Sequence, residues 1–298
     1  MAGDPAHPTI LVVVDHSRGV LDTVRWAARE AAICGGVVRL VPAHRALLGR
    51  LLARLLGRSR TAAVLAAAVR AAAAVAPRIP VELSGTDAGT HGRSLLVAES
   101  AAADLLVVSG RWWGRVWSLS AGPARWAARC PVVVLPPACG GLDPTRPVVV
   151  GVDGTAASTA AVDLAFAFAA GRGVAVVAVH TWWDRITDGE VEDQTGWARV
   201  AAEEQMVLDE HLARTAATYP AVVVQRISCA GFAAGALVEL SRRAQLVVIG
   251  SHRHGRLGAY LVDSAGRALV RAAGCPVVIA PVAAPRPATT VGTGGRGG

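Results

Sequence analysis

Apolar positions in this chain come in short unbroken runs. They include Ile10-Leu11-Val12-Val13-Val14, Leu105-Leu106-Val107-Val108, Val132-Val133-Val134, Val148-Val149-Val150, Leu246-Val247-Val248-Ile249 and Val277-Val278-Ile279. A strand with one wet face alternates apolar and polar residues, whereas an unbroken run reads as a strand buried on both faces of a parallel sheet. Ala-rich stretches of helical character separate the runs. Gly35-Gly36 and Gly171 sit where the first helix of each half should stop. Strands alternating with helices predict an α/β fold with a doubly wound parallel sheet.

The pattern occurs twice. Thr9–Val14 ending in Asp15 is matched by Val148–Val152 ending in Asp153, and each is followed by small polar residues and a helical stretch. Val37–His44 is matched by Val174–His180, and the run from Ala103 to Val108 by that from Ala244 to Ile249. The last pair is the most alike: Ala-Ala-Arg-Cys-Pro-Val-Val-Val at 127–134 against Ala-Ala-Gly-Cys-Pro-Val-Val-Ile at 272–279. Equivalent positions lie 138 to 145 residues apart, so the repeat fills most of the chain. The expected organisation is two tandem five-stranded domains with four helices each, over 1–140 and 145–284. A Pro/Gly-rich linker joins them, and a Pro/Thr/Gly-rich tail over 285–298 is expected to be disordered.

Composition refines this picture. The 298 residues suit about two domains of ~150. All 30 formal side-chain cations are Arg, with no Lys, as a GC-rich coding bias would give. The net charge of +8 falls wholly on residues 1–140, with sixteen Arg against eight acidic residues; residues 141–298 carry fourteen of each. No basic stripe interleaved with aromatics accompanies the charge, so no nucleic acid is expected as a partner. The five cysteines are odd in number and lack a CxxC, which argues against a disulfide framework. Cys130 and Cys275 read as small buried apolar residues. No signal-peptide pattern opens the chain, and no uncharged apolar run reaches ~18 residues. The expectation is a cytoplasmic protein that no membrane segment anchors. Arg50, Arg54 and Arg58 recur among paired leucines, which fits a helix packed on the sheet or one lying on a membrane surface. Glu190, Glu192, Asp193, Glu203, Glu204, Asp209 and Glu210 make the corresponding region of the second half acidic, which suits contact between opposite faces.

Ligands of open α/β sheets bind outside the carboxyl ends of the strands, near the point where strand order reverses. A P-loop needs a lysine and is excluded. There is no GxGxxG after a first strand, no HExxH, no GxSxG, and no nucleophile with its base and orienter. No enzyme is expected, and nucleotide hydrolysis is the weakest of the functions weighed. What remains is the turn Ile249-Gly250-Ser251-His252-Arg253-His254-Gly255-Arg256-Leu257-Gly258, then Asp263-Ser264-Ala265 opening a helix. His252 and His254 read as loop residues, since no further metal ligands accompany them.

This turn, with the Cys-Pro-Val strand after it, resembles the G-x2-G-x9-G-[ST] signature of the universal stress protein family. Gly250 and Ser264 match the first and last signature positions; Arg253 and Asp263 replace the two middle glycines. The resemblance implies a tandem universal stress protein with an adenine-nucleotide α-hydrolase-like fold, acting in stress response. It implies ATP as ligand, with Mg²⁺ accompanying it. Val152 and Asp153 would approach the nucleotide, and Val179 to Thr181 would contact adenine. Ile249, Gly250, Ser251, Arg253, Ser264 and Ala265 would surround the phosphates at a helix N-terminus. Asp263 would repel phosphate by about 4 kcal/mol at ~4 Å and an effective dielectric of ~20, while Arg253 and Arg256 suit it.

The first half departs further, with Ser109 in place of the first glycine and Trp112 at the second. Its site reads as degenerate, with Trp112, Trp113 and Trp117 filling the pocket or packing on a partner. The alternative function is a dimerisation or partner-binding module with decayed pockets and no ligand. The family's last strands pair subunits at the sheet edge, so Pro131–Leu135 and Pro276–Ala280 are expected to join the halves as an intrachain pseudo-dimer, with homodimerisation as a further option.

Overall fold

The computed structural model describes residues 7–17, 19–43, 58–84, 93–119, 128–137, 139, 143–182, 194–254, 259–261 and 264–281. The segment through Arg50 and Arg54, the acidic residues 190–193, Asp263 and the tail from 285 lie outside them. The first half runs β1 (Thr9–Val14), α1 (Val20–Cys34), β2 (Val37–Pro42), α2 (Arg58–Val75), β3 (Val81–Leu83), α3 (Arg93–Ala101), β4 (Leu105–Ser109), α4 (Gly110–Leu119) and β5 (Val132–Leu135). The second runs β6 (Val148–Val152), α5 (Ala156–Arg172), β7 (Val176–Thr181), α6 (Gln194–Thr218), β8 (Val224–Cys229), α7 (Ala233–Ser241) and β9 (Leu246–Gly250). A ribbon of β10 (His252–His254) and β11 (Ala259–Leu261) follows, then α8 (Ser264–Ala272) and β12 (Val277–Ala280).

Ten strands form one sheet in the order β3-β2-β1-β4-β5-β12-β9-β6-β7-β8. Each half is parallel within itself and doubly wound about its first strand. The unbroken apolar runs are buried along their whole length, as in β1, β4 and β12. The outermost strands β3 and β8 are not. Successive side chains of a strand point to opposite faces. One face carries Val12, Val107, Val150 and Val248 under α1, α2, α5 and α6. The other carries Val13, Val108, Val149 and Val247 under α3, α4, α7 and α8. Both layers run uninterrupted across the two halves.

The halves meet where the sequence predicts. β5 and β12 pair antiparallel, with Val134 opposite Val277, Val133 opposite Val278 and Val132 opposite Ile279. All six side chains are buried. At about 1.5–3 kcal/mol per buried aliphatic side chain, the seam contributes on the order of 10 kcal/mol before ordering entropy is subtracted.

Three local expectations are corrected. Gly171 does not end its helix: α5 continues to Arg172, and Gly173 caps it with φ 63°, as Gly35 caps α1 with φ 67°. A left-handed residue is what a C-cap requires, and Gly173 supplies it. Gly171 lies where a Cβ would come within 3.7 Å of Ile33 on α1. The turn expected after β4 is instead helix α4. Ser109 occupies the N-cap position, and its Oγ accepts the Trp112 N–H at 3.2 Å, the bond that starts a helix. Likewise, the loop expected after β9 contains an antiparallel ribbon, with Arg253 opposite Tyr260.

The seam yields a test. Val278→Asp would place a carboxylate at a fully buried position opposite Val133. The halves should part and uncover two strand edges. Size-exclusion chromatography with light scattering should then show association beyond the wild-type species; an unchanged elution and unfolding midpoint would contradict it.

Candidate functional site

The carboxyl ends of β9, β6 and β7 lie side by side and converge Val152, Asp153, Val179, Thr181, Ile249, Gly250 and Ser251. The reversal of strand order falls between β6 and β9, the place where open α/β sheets hold ligands. Asp153 is exposed; its Oδ1 accepts the Thr155 backbone N–H at 2.9 Å and the Thr155 hydroxyl at 2.6 Å. This turn, with Gly154 at φ 77°, leads directly into α5. The side chains of Val152, Val179 and Ile249 belong to the core, which leaves their backbone at the strand ends. Gly250 makes a close approach: a Cβ there would sit 2.5 Å from the Ala157 carbonyl oxygen in the first turn of α5. Ser251 is buried, and its hydroxyl donates to the Ala280 carbonyl at 2.9 Å, tying β9 to β12. Ser264 is the first residue of α8, Ala265 is buried in the same turn, and Arg253 lies in β10.

The first half repeats this geometry with a different result. Asp15 Oδ1 accepts the Ser17 N–H at 3.0 Å and the Ser17 hydroxyl at 2.7 Å, the same turn as at Asp153. Its Oδ2, however, accepts the Ser109 hydroxyl at 2.9 Å, and Asp15 is buried. The register places Ser109 opposite Leu135 as Gly250 lies opposite Ala280, so serine stands here in the place of that glycine. Residues 15–19 connect β1 to α1, two more than the 153–155 that connect β6 to α5. The longer connection leaves room for the serine side chain. A cavity of about 210 Å³ remains beside it, lined among others by Ser17, Asp22, Ser109, Arg111, Leu135 and Cys139. Burial and the nearby Asp22 carboxylate push the Cys139 thiol up to about 11. Trp112 and Trp113 are buried in the core. Cys130 and Cys275 are buried as expected; burial pushes the Cys130 thiol up to about 12. All five cysteines are free thiols.

One constellation escapes the sequence reading. Glu204 is not on an acidic surface but buried beneath α6, its Oε2 2.6 Å from Nε2 of the equally buried His180. Nδ1 of His180 donates to the Val152 carbonyl at 2.8 Å. With Nδ1 the donor, a bare Nε2 and a carboxylate would be two acceptors face to face, so one proton lies between them. The pair clamps the end of β6 to β7 and α6 just behind Asp153. A signal was present: Val200, Glu204, Leu208 and Leu212 recur every four residues and all are buried, which makes Glu204 a core position of its helix.

Comparison with known proteins agrees with this geometry. Residues 144–281 match the model of the universal stress protein family. Over these residues the chain is similar to that family. Universal stress protein Rv2623 of Mycobacterium tuberculosis H37Rv is 38% identical over 194 residues, covering 62% of this chain and 64% of that protein. Universal stress protein Rv2005c of the same strain is 39% identical over 171 residues, covering 56% of each. The chain thus spans between about half and two thirds of the length of these curated relatives. A universal stress protein from Archaeoglobus fulgidus superposes with a TM-score of 0.61 at 15% identity, covering 91% of this chain and 96% of that one. A putative universal stress protein from Pseudomonas aeruginosa superposes at 0.55 and 15% identity, covering 93% and 94%. These establish the universal stress protein fold over nearly the whole chain. Among the described residues, no helix is long and apolar enough to cross a membrane.

Two tests address this site. Glu204→Ala leaves His180 without its buried partner and should cost about 3–5 kcal/mol. Glu204→Gln, whose amide can donate to Nε2, should cost clearly less; urea unfolding of the two variants reads the difference. Gly250→Ala should cost roughly 1–3 kcal/mol because backbone must move. A neutral result at Gly250 in the same assay would mean that α5 does not seat against β9.

Proposed function

We propose that the second half binds an adenine nucleotide at the carboxyl ends of β6, β7 and β9, and that the protein acts as a nucleotide-responsive universal stress protein of the cytoplasm without a catalytic role. The observation that carries this reading is the contrast between the two copies of one turn. Asp15 is closed off by Ser109, whereas Asp153, next to Gly250, is exposed at the switch point. Val152 and Asp153 face the nucleotide, Val179 and Thr181 offer backbone to adenine, and Ile249, Gly250, Ser251, Arg253, Ser264 and Ala265 surround the phosphates. Mg²⁺ accompanies the phosphates when ATP is bound, neutralising part of their charge. A second reading applies to the first half alone. The Asp15–Ser17–Ser109 network and the buried Trp112 and Trp113 support a structural and partner-binding role without nucleotide.

Isothermal titration with ATP and Mg²⁺ tests the proposal. Arg253→Ala should weaken binding roughly 10- to 100-fold, the value of a hydrogen bond to a charged group. Asp263→Gly should tighten it at least ~10-fold by removing a like charge. No binding heat with either the wild type or Asp263→Gly would leave the partner-binding reading in its place for both halves.

A further inference from the structure

The two halves touch not only along the seam but through α1 and α5, and there the repeat breaks its own symmetry. Their glycine caps, Gly35 and Gly173, set the equivalence: Ile33 corresponds to Gly171, Cys34 to Arg172 and Glu30 to Phe168. The buried positions of the two helices agree with it, Ala27, Ala28, Glu30 and Ala31 matching Ala165, Phe166, Phe168 and Ala169. Ile33 and Gly171, an equivalent pair, approach one another, as residues near a two-fold axis must. Beside them Arg172 forms an ion pair with Glu30, both side chains more than nine-tenths buried. Arg172 also donates to the Phe168 carbonyl at 3.1 Å, and its guanidinium lies 4.8 Å from the Phe168 ring centroid. The symmetry-related pair of positions is Phe168 and Cys34, which carries no such charges.

We propose that the Glu30–Arg172 pair is a partner-selecting element: it makes the first half the required mate of the second, because either like-with-like pairing would bury one of these charges unmatched. Two first halves joined in this geometry would set Glu30 against Cys34. Two second halves would set Arg172 against Phe168. Burial already pushes the Glu30 carboxyl above the usual carboxylate range, with Arg172 opposing that rise. A buried pair is a weak source of stability but a strong source of discrimination, since removing one partner strands the other. The edge strands β5 and β12 are both short apolar runs, and their pairing contains no polar side chain to distinguish partners. Choice of partner therefore falls to the helices above it.

The full-length chain tests this with charge reversals. Glu30→Arg and Arg172→Glu should each lower the thermal midpoint by roughly 5 °C or more, and the double reversal in one chain should recover most of the loss. The isosteric Glu30→Gln guards against misfolding of the reversals and should show a smaller drop in the same direction. The decisive measurement is native mass spectrometry after co-expression of the two single-reversal chains. Swapping halves between them restores a carboxylate opposite a guanidinium at both interfaces, so a one-to-one heterodimer with a recovered midpoint is expected. A double reversal no more stable than the singles, or co-expressed chains that stay apart with lowered midpoints, would overturn the proposal.

Discussion

The antiparallel pairing of β5 with β12 is the constraint on which the rest of the molecule depends. Each half alone is a five-stranded parallel sheet whose last strand would end in bare backbone donors and acceptors beside fully buried valines. Such an edge invites uncontrolled pairing. Joining the two edges removes both at once and makes the two helix layers continuous, so that α1 packs on α5 and a single sheet carries both switch points. The outer edges are managed differently. β3 is only three residues long, and β8 carries Arg226, ion-paired with Asp209 on α6.

A small number of substitutions separates the two halves within this frame. Both retain an aspartate at the end of the first strand, accepting the N–H and hydroxyl of a serine or threonine two residues on. In the first half Ser109 turns that carboxylate inward and caps α4 in the same gesture. In the second half Gly250 has no side chain to do either, and α5 closes down on it. One Cβ and one hydroxyl decide whether the aspartate belongs to the interior or to the surface.

The strands and the seam were legible because they depend on one-dimensional properties. Unbroken Val runs, their duplication, and the matching Cys-Pro-Val segments needed no knowledge of contacts. What could not be read depends on atoms from distant parts of the chain. Gly171 and Gly173 are equally plausible helix ends until the φ of each is known and Ile33 is seen beside Gly171. The helix after β4 is hidden because Ser109, aligned with Gly250, reads as a lost phosphate glycine and not as an acceptor for Trp112. Glu204 reads with its acidic neighbours, although it falls in the four-residue series Val200, Glu204, Leu208, Leu212 that is buried throughout. For the candidate site, the ordering of β9, β6 and β7 brings the named residues to one place, but the use of the Ser251 hydroxyl in holding Ala280 was invisible without the partner strand.

The direction of the strands across the seam has one more consequence. Parallel order within each half and antiparallel order between them point the carboxyl ends of β1 and β4 to one rim of the sheet and those of β6 and β9 to the opposite rim. At ~3.3 Å per residue, strands of this length hold the rims roughly 15 Å apart or more. The open turn at Asp153 and the closed one at Asp15 therefore look away from each other. A macromolecule docked on one rim has no view of the other, and any coupling between the rims must cross the valines of β5 and β12 or the contact of α1 with α5.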